Sequence, residues 1–106
     1  MKLPELSHLQ ILVLDCLGTN KITGRELRKL LAAKGSKKSG PAFYQLMARL
    51  EEADFVEGDY VQKIVEGQII KERWYRITGE GQKAKAAAEQ FYSGLFGSRI
   101  GGPAYA

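Results

Sequence analysis

Residues 39–52 read SGPAFYQLMARLEE, and this stretch predicts a short helix that packs one face against a core. Ser39 or Gly40 can cap its start, and Pro41 suits the first turn because proline has no amide hydrogen to leave unpaired. The apolar side chains then recur at the i, i+3, i+4, i+7 spacing of a core-facing stripe. They are Phe43, Leu46, Met47 and Leu50.

The opposite face of this helix is predicted to be exposed. It carries Gln45 and Arg49, which lie one turn apart, and Tyr44 lies on its flank. In the major groove of DNA, Gln can make two hydrogen bonds to adenine and Arg two to guanine. Two roles stay open for Tyr44, which can pack at the edge of the core or donate its hydroxyl to a phosphate.

A second helix precedes the quoted stretch. Residues 23–26 read TGRE, a capping box in which the threonine accepts from the amide three residues on and the glutamate reaches back. The helix is expected to run to about Lys34 and to stop at Gly35. Its predicted buried stripe consists of Leu27, Leu30 and Leu31. Residues 21–22, just before the box, can form a very short strand.

The turn between these two helices carries Lys37 and Lys38. Both lysines lie just ahead of a helix N-terminus, where free amides and the helix dipole favour phosphate. Ser39 can donate a hydrogen bond to phosphate as well. A solvated turn without a ligand is the alternative interpretation.

A β-hairpin is predicted after the quoted stretch. Residues 56–65 and 69–77 are rich in β-branched and aromatic side chains, as strands are. Glu66-Gly67 between them is a suitable tight turn, although weaker than Asn-Gly. Lys63, near the tip, is the evident candidate for a phosphate contact from the hairpin.

A fourth helix is predicted from a cap at Thr78 to about residue 96. Its apolar side chains form one stripe with two aromatic residues beside it. The stripe and its neighbours are Ala84, Ala87, Ala88, Phe91, Leu95, Tyr92 and Phe96. Residues 97–106 show no period and are expected to form a disordered tail.

The first helix, capped by Ser7 and ending at about Leu17, is apolar on two sides. One face carries Leu9, Leu12, Val13 and Cys16. The other carries Ile11 and Leu14. A helix of this kind needs two partners. Two arrangements stay open: the core on one side with a second subunit on the other, or burial on both sides within one chain.

This order of elements is that of a winged helix-turn-helix with an added C-terminal helix. The expected class is therefore mainly α with a small β-hairpin, in one domain over residues 1–96 whose last helix, residues 78–96, serves dimerisation. In this fold the third helix enters the major groove and the helix before it crosses the DNA backbone. Arg25, Arg28 and Lys29 on that helix are candidates for at least one phosphate contact.

The charge of the chain is unevenly distributed. Residues 20–49 contain eight basic side chains and one acidic side chain, whereas residues 50–72 contain seven acidic and two basic ones. A localised basic block indicates a polyanionic partner more strongly than the net charge of +4 does.

Several classes of protein are disfavoured by composition. One cysteine, Cys16, excludes an internal disulfide, and with His8 as the one histidine a Cys/His zinc site has too few ligands. The longest apolar run, residues 11–14, is too short to span a membrane, and residues 1–5 do not resemble a signal peptide. A cytoplasmic protein with no cofactor, no metal and no catalytic residues is expected.

Two segments resemble PadR-like transcriptional regulators. Residues 39–52 are similar to the third helix of that family, with a small-residue start, an aliphatic residue, a tyrosine and an Arg-Leu-Glu ending. Residues 73–81, RWYRITGEG, match the family pattern Arg-x-Tyr-x-aliphatic-Thr-x-x-Gly. Residues 9–17 and 23–27 fit its first two helices, so the resemblance covers about residues 7–92.

The resemblance implies a dimeric, repressor-type regulator. In the short branch of the family one C-terminal helix forms the dimer by crossing the first helix of the partner. The residues expected at that interface are Ile11, Leu14, Phe91, Tyr92 and Leu95. Some members release DNA when a small aromatic or hydrophobic molecule binds, so a small hydrophobic effector is an expected class of partner.

The chain departs from the family pattern in three places. Gln45 stands where the family usually has proline. Asp54 replaces the usual glycine after the third helix, which is tolerable because Asp adopts the left-handed region more readily than most residues. The acidic hairpin region puts the usual contact between wing and phosphate in doubt.

The leading hypothesis is a homodimeric repressor that binds double-stranded DNA in a sequence-specific manner. The residues predicted to contact DNA are Lys37, Lys38, Ser39, Tyr44, Gln45, Arg49 and Lys63. The alternative is a winged-helix module for protein interaction, which the acidic residues 50–72 favour. No catalytic constellation supports an enzyme.

Overall fold

The computed structural model describes the backbone of residues 6–100 and the side chains of residues 6–95. It contains four helices and three strands within that part of the chain. In chain order they are α1 His8–Leu17, β1 Ile22–Thr23, α2 Gly24–Ala33, α3 Gly40–Glu52, β2 Val56–Val65, β3 Gln68–Ile77 and α4 Gly79–Ile100. The predicted class, mainly α with a small hairpin, is confirmed.

Side-chain caps begin the helices where the sequence predicts. The Ser7 hydroxyl accepts from the Gln10 amide at 3.1 Å, and the Gln10 side chain returns a bond to the Ser7 amide, which completes a capping box that the sequence analysis had missed. Thr23 accepts from the Glu26 amide at 3.1 Å, but the Glu26 side chain makes no return bond to the Thr23 amide, so the box predicted there is only half formed. These bonds satisfy amides that have no partner within the helix.

The strands form one antiparallel sheet in the order β1-β3-β2. The hairpin register runs from Val56 opposite Ile77 to Val65 opposite Gln68. Its two turn residues, Glu66 and Gly67, have φ of 52° and 81°, the conformation of a type I′ turn. The strand predicted at residues 21–22 is displaced by one residue, because Ile22 and Thr23 pair with Tyr75 and Trp74.

The core lies between the helices and the inner face of the sheet. Its largest fully buried side chains come from α1, α2 and α3, and β2 and β3 add residues near the base of the hairpin. The core comprises Leu6, Val13, Leu14, Leu17, Leu27, Leu31, Phe43, Met47, Leu50, Val56, Tyr75 and Ile77.

Two predictions about buried faces are wrong. Leu14, expected at a dimer interface, is 0% exposed in the single chain, so it has no surface to offer a second subunit. The helix is instead central, and α2, β3 and α4 of the same chain contact it. Leu30, predicted to be buried, is exposed because α2 packs through Leu27 and Leu31 and places Leu30 beyond the edge of that stripe.

The corner between α3 and β2 is joined to the start of α4 by hydrogen bonds. The Thr78 hydroxyl donates to the Asp54 carbonyl at 2.5 Å and accepts from the Gly81 amide at 2.9 Å, so it caps α4 as predicted. The Thr78 amide donates to the Phe55 carbonyl at 3.1 Å. Asp54 has φ of 63°, so the left-handed conformation expected at this position is confirmed.

The helix α4 runs antiparallel to α1. Lys85 Nζ lies 3.5 Å from the Asp15 carboxylate near the end of α1, and the Tyr92 and His8 rings lie 5.0 Å apart at its beginning. Ala88 between them is fully buried. The part of α4 after Tyr92 therefore extends beyond the first residue of α1.

The helix α4 ends later than predicted. It continues to Ile100 rather than to about residue 96, because the loss of an apolar period does not break a helix and residues 97–100 contain no proline. Residues 101–106, the remainder of the predicted tail, lie outside the described residues.

Replacement of Gly81 by alanine should lower the free energy of unfolding by about 2 kcal/mol, in the range expected for overpacking. A Cβ atom there would overlap the Phe55 carbonyl oxygen and lie 2.8 Å from Ile77 Cγ1. Gly79→Ala is the matched control, because a Cβ at Gly79 meets nothing within 4 Å. Urea denaturation measures both variants. Equal stability of the two variants would contradict this account of the corner.

Candidate nucleic-acid interface

The helix α3 presents one buried and one exposed face, as the sequence predicts. Phe43, Met47 and Leu50 are fully buried. The Ser39 hydroxyl accepts from the Ala42 amide at 3.3 Å and caps the helix. Gln45 and Arg49 are exposed on the side opposite the buried stripe. Both side chains are therefore accessible to a ligand.

The turn before α3 is held in place by α2. Arg28 Nη2 donates to the Lys38 carbonyl oxygen at 3.1 Å, immediately before the cap residue Ser39. This bond engages only the backbone of Lys38, and the side chains of Lys37 and Lys38 are exposed. Arg28, considered only as a phosphate contact in the sequence analysis, thus also positions the turn.

A cavity of about 220 Å³ lies between this turn and α2. Five of its six lining residues are basic. The lining consists of Arg25, Arg28, Lys29, Ala32, Lys37 and Lys38. Such a concentration of positive charge at a helix N-terminus favours an anion, and phosphate in particular.

The basic residues divide into paired and unpaired sets. Seven of them take part in no ion pair with any other residue of the described chain. They are Arg25, Arg28, Lys29, Lys37, Lys38, Arg49 and Lys71. Six of the seven belong to α2, α3 and the turn between them, so the uncompensated positive charge is concentrated there.

The acidic charge of residues 50–72 is largely compensated by ion pairs. Four of the seven acidic side chains are paired, three of them with bases outside that segment. The pairs are Glu51–Arg73 at 2.8 Å, Glu57–Arg76 at 2.5 Å, Asp59–Lys21 at 3.4 Å and Glu72–Lys63. The charge count along the sequence therefore overstates how acidic the hairpin is.

The candidate contact Lys63 is engaged within the hairpin. Its ammonium group forms an ion pair with the Glu72 carboxylate on the neighbouring strand, although more than half of the Lys63 side chain stays exposed. The pair partly neutralises Lys63, which weakens the prediction that this lysine contacts phosphate.

A cleft of about 400 Å³ separates the start of α2 from β3. Tyr44 forms part of its wall, with its ring edge-on to Phe43 at a centroid distance of 5.0 Å. Tyr44 thus combines the two roles left open, because its ring packs at the edge of the core while its side chain remains exposed. The full lining is Thr23, Arg25, Glu26, Tyr44, Lys63, Lys71, Glu72, Arg73 and Trp74. This charged lining favours an anionic occupant over an apolar one.

The hairpin is attached to the end of α3 through Arg73. Its guanidinium binds Glu51 at 2.8 Å and lies 4.5 Å from the centroid of the Tyr60 ring. Burial opposes the charged form, but the hydrogen bonds and electrostatic attraction from Glu51 and Tyr75 together outweigh it and leave the Arg73 pKa above its ordinary value. A Cβ on Gly58 would overlap the ends of both the Glu51 and Arg73 side chains, so a larger residue there would displace the ion pair.

The residues predicted for dimerisation lie in different environments. Leu95 is 44% exposed, and Phe91 and Tyr92 are half-buried on α4. Ile11 is partly buried and packs against the core of its own chain. With Leu14 excluded, the accessible part of this set lies on α4.

Other chemistry is not indicated within residues 6–95. Burial raises the pKa of the Cys16 thiol, which reduces its reactive thiolate form. No group of three or more potential metal ligands occurs there. Among the described helices, none combines the length and apolar character needed to cross a membrane.

Comparison with solved structures identifies similar folds. The chain is 28% identical to a PadR-family transcriptional regulator from Eggerthella lenta, over 82% of this chain and 73% of that one, with a TM-score of 0.67. It is 18% identical to a PadR-like transcription factor from Bacteroides fragilis, over 85% of this chain and 84% of that one, with a TM-score of 0.72. The chain is also 18% identical to a PadR-family transcription regulator from Clostridium difficile, over 87% of this chain and 97% of that one, with a TM-score of 0.70. No family profile and no curated protein matches this chain.

These neighbours are transcriptional regulators. They match the resemblance that residues 39–52 and 73–81 indicate in the sequence. The winged-helix fold expected from the order of elements is therefore confirmed.

The Glu51–Arg73 pair should contribute measurably to stability. Their side chains are 28% and 20% exposed, so Arg73→Gln leaves a partly buried carboxylate unpaired and should cost about 1–2 kcal/mol of unfolding free energy. Glu51→Gln should cost a similar amount, and the double variant less than the sum of the two. Arg76→Gln is the control, because the Arg76–Glu57 pair is more than half exposed and should be worth under about 1 kcal/mol. Additive losses in the double variant would show that the two residues do not act as a pair.

Proposed function

We propose that this chain is a sequence-specific, double-stranded DNA-binding regulator of transcription that acts as a homodimeric repressor. The observation that carries the proposal is the continuity of two surfaces. The exposed face of α3 adjoins the unpaired basic cluster at its own N-terminus, in a fold shared with transcriptional regulators. A helix presented in this way can enter the major groove.

The exposed residues of α3 suit different parts of a DNA duplex. Gln45 and Arg49 can each make two hydrogen bonds to a base edge, which discriminates against a wrong base by about 1–3 kcal/mol. Lys37 and Lys38 carry unpaired positive charge and therefore suit phosphate. The Ser39 hydroxyl accepts a bond from its own helix but can still donate its proton to a phosphate oxygen.

The double variant Lys37→Glu/Lys38→Glu should abolish the binding of duplex DNA in a gel shift. Each substitution replaces an attraction for phosphate by a repulsion, while both side chains are exposed. The unfolding free energy should therefore stay within about 0.5 kcal/mol of the wild-type value. Thermal denaturation checks that the fold is intact.

Lys83→Glu is the control for the introduced negative charge, because Lys83 is exposed on α4 and undergoes the same lysine-to-glutamate change. Its DNA affinity should resemble that of the wild type. Wild-type affinity should also fall steeply with salt, since bound lysine and arginine displace counterions. Unchanged binding by the double variant would remove the two lysines from the interface.

The proposed dimer interface is formed by the C-terminal part of α4. This helix has 22 residues and α1 has 10, so α4 extends beyond the helix that covers it. Leu95 lies in the uncovered part and is exposed, and Phe91 one turn earlier is half-buried. Apolar side chains on an extended helix favour association with a second copy.

Leu95→Glu should convert the dimer into a monomer in analytical ultracentrifugation. The charged side chain would have to be buried without a partner at the interface, which is costly. Ala86→Glu, at an exposed position on the opposite side of α4, should remain dimeric. A wild-type protein that sediments as a monomer would refute the proposed dimer.

The alternative, a winged helix that binds another protein, loses its main support in the structure. It rested on the acidic residues 50–72, and four of these carboxylates are already paired. Retention of a protein partner, together with an absence of salt-sensitive DNA affinity, is the result that would favour it.

A further inference from the structure

The two basic cavities share one lining residue. Arg25 lines both the 220 Å³ cavity beside the turn and the 400 Å³ cleft beside β3. Positive charge therefore runs from Lys37 and Lys38 along α2 to the hairpin, where the cleft is lined by Lys63 and Lys71. Positive charge spread over both cavities favours a polyanionic partner such as a DNA backbone.

The two lysines of the hairpin differ in their partners. Lys63 forms an ion pair with Glu72. Lys71 is exposed and forms no ion pair with any residue of the described chain. It lies opposite Gln62, so no acidic side chain faces it directly across the hairpin.

We propose that Lys71, and not Lys63, is the residue through which the hairpin contacts DNA. Arg25 of α2 and Lys71 of β3 both line the cleft and together bind one backbone phosphate, while the hydroxyl of Tyr44 is available as a hydrogen-bond donor. The ion pair with Glu72 keeps Lys63 from binding the same phosphate. This assignment rests on the proposed DNA-binding function, and it concerns a residue that the sequence analysis did not single out.

The charges lining the cleft support the binding of one phosphate. Four basic side chains and two acidic ones line it. Lys63 and Glu72 neutralise each other, and Arg73 is paired with Glu51. Arg25 and Lys71 remain unpaired, with Glu26 as the one unpaired acid of the lining. An anion bound there therefore meets two cations and one carboxylate outside any ion pair, so the remaining charge of the lining is net positive.

The test compares Lys71→Gln with Lys63→Gln, which remove the same charge from the same hairpin. The probe is a fluorescein-labelled DNA duplex of arbitrary sequence, whose binding is followed by anisotropy between about 50 and 200 mM salt. One phosphate contact contributes about 0.9 to the slope of log K against log salt concentration. Lys71→Gln should flatten the slope by that amount, so its loss of affinity should be roughly threefold larger at the lower salt concentration. Lys63→Gln should keep the wild-type slope.

A third variant, Glu72→Gln, tests the role given to Glu72. It releases Lys63 from its ion pair, so the slope should become steeper and the duplex should bind more tightly. Both substituted side chains of the first comparison are exposed, and thermal denaturation should show all three variants folded.

The outcomes separate the two proposals. If the wild type binds the duplex and Lys71→Gln keeps its slope, the assignment of Lys71 is overturned and the proposed function stands. Equal losses in Lys71→Gln and Lys63→Gln would overturn it too, because net charge alone would then account for the effect. If the wild type shows no salt-dependent binding, the proposed function fails, and the assignment of Lys71 as a phosphate contact fails as well.

Discussion

The complete burial of one face of α3 is the interaction on which the rest of this structure depends. Phe43, Met47 and Leu50 pack into the core and so determine the rotation of the helix about its axis. Gln45 and Arg49 are exposed as a consequence of that rotation, not through any contact of their own. The hydrogen bond from Arg28 to the Lys38 carbonyl then holds the preceding turn, so that its lysines lie at the start of the same exposed face.

A second set of contacts determines where the hairpin lies relative to α3. The end of α3 is bonded to β3 through Glu51 and Arg73, and the following corner is bonded to the start of α4 through Thr78. Each residue of the motif at 73–81 that matches the family pattern has a physical role in these contacts. Arg73 binds α3, Tyr75 and Ile77 enter the core, Thr78 caps α4, and Gly81 permits close packing on Phe55. The residues of the motif therefore hold neighbouring elements together, and their relation to DNA binding is indirect.

Electrostatics in this protein depend on pairing more than on composition. Ion pairs across the hairpin and to neighbouring elements compensate most of its carboxylates, whereas the cations of α2, α3 and their turn stay uncompensated. A charge count over consecutive residues does not distinguish paired from unpaired side chains. It therefore overestimates the negative charge of the hairpin. The field experienced by an approaching polyanion comes mainly from the unpaired set.

Local patterns in the sequence were enough to determine the elements, their order and the exposed face of α3. Helical and strand periods, side-chain caps and a two-residue turn all act through neighbours within a few residues, and the predicted strand limits agree with the structure to within one residue. Contacts between distant residues could not be determined in that way. The central position of α1, which buries Leu14, and the pairing of Lys63 but not Lys71 were decided by the tertiary structure. Both depend on which segments meet in space, and neither burial nor ion pairing is encoded in the spacing of residues along one element.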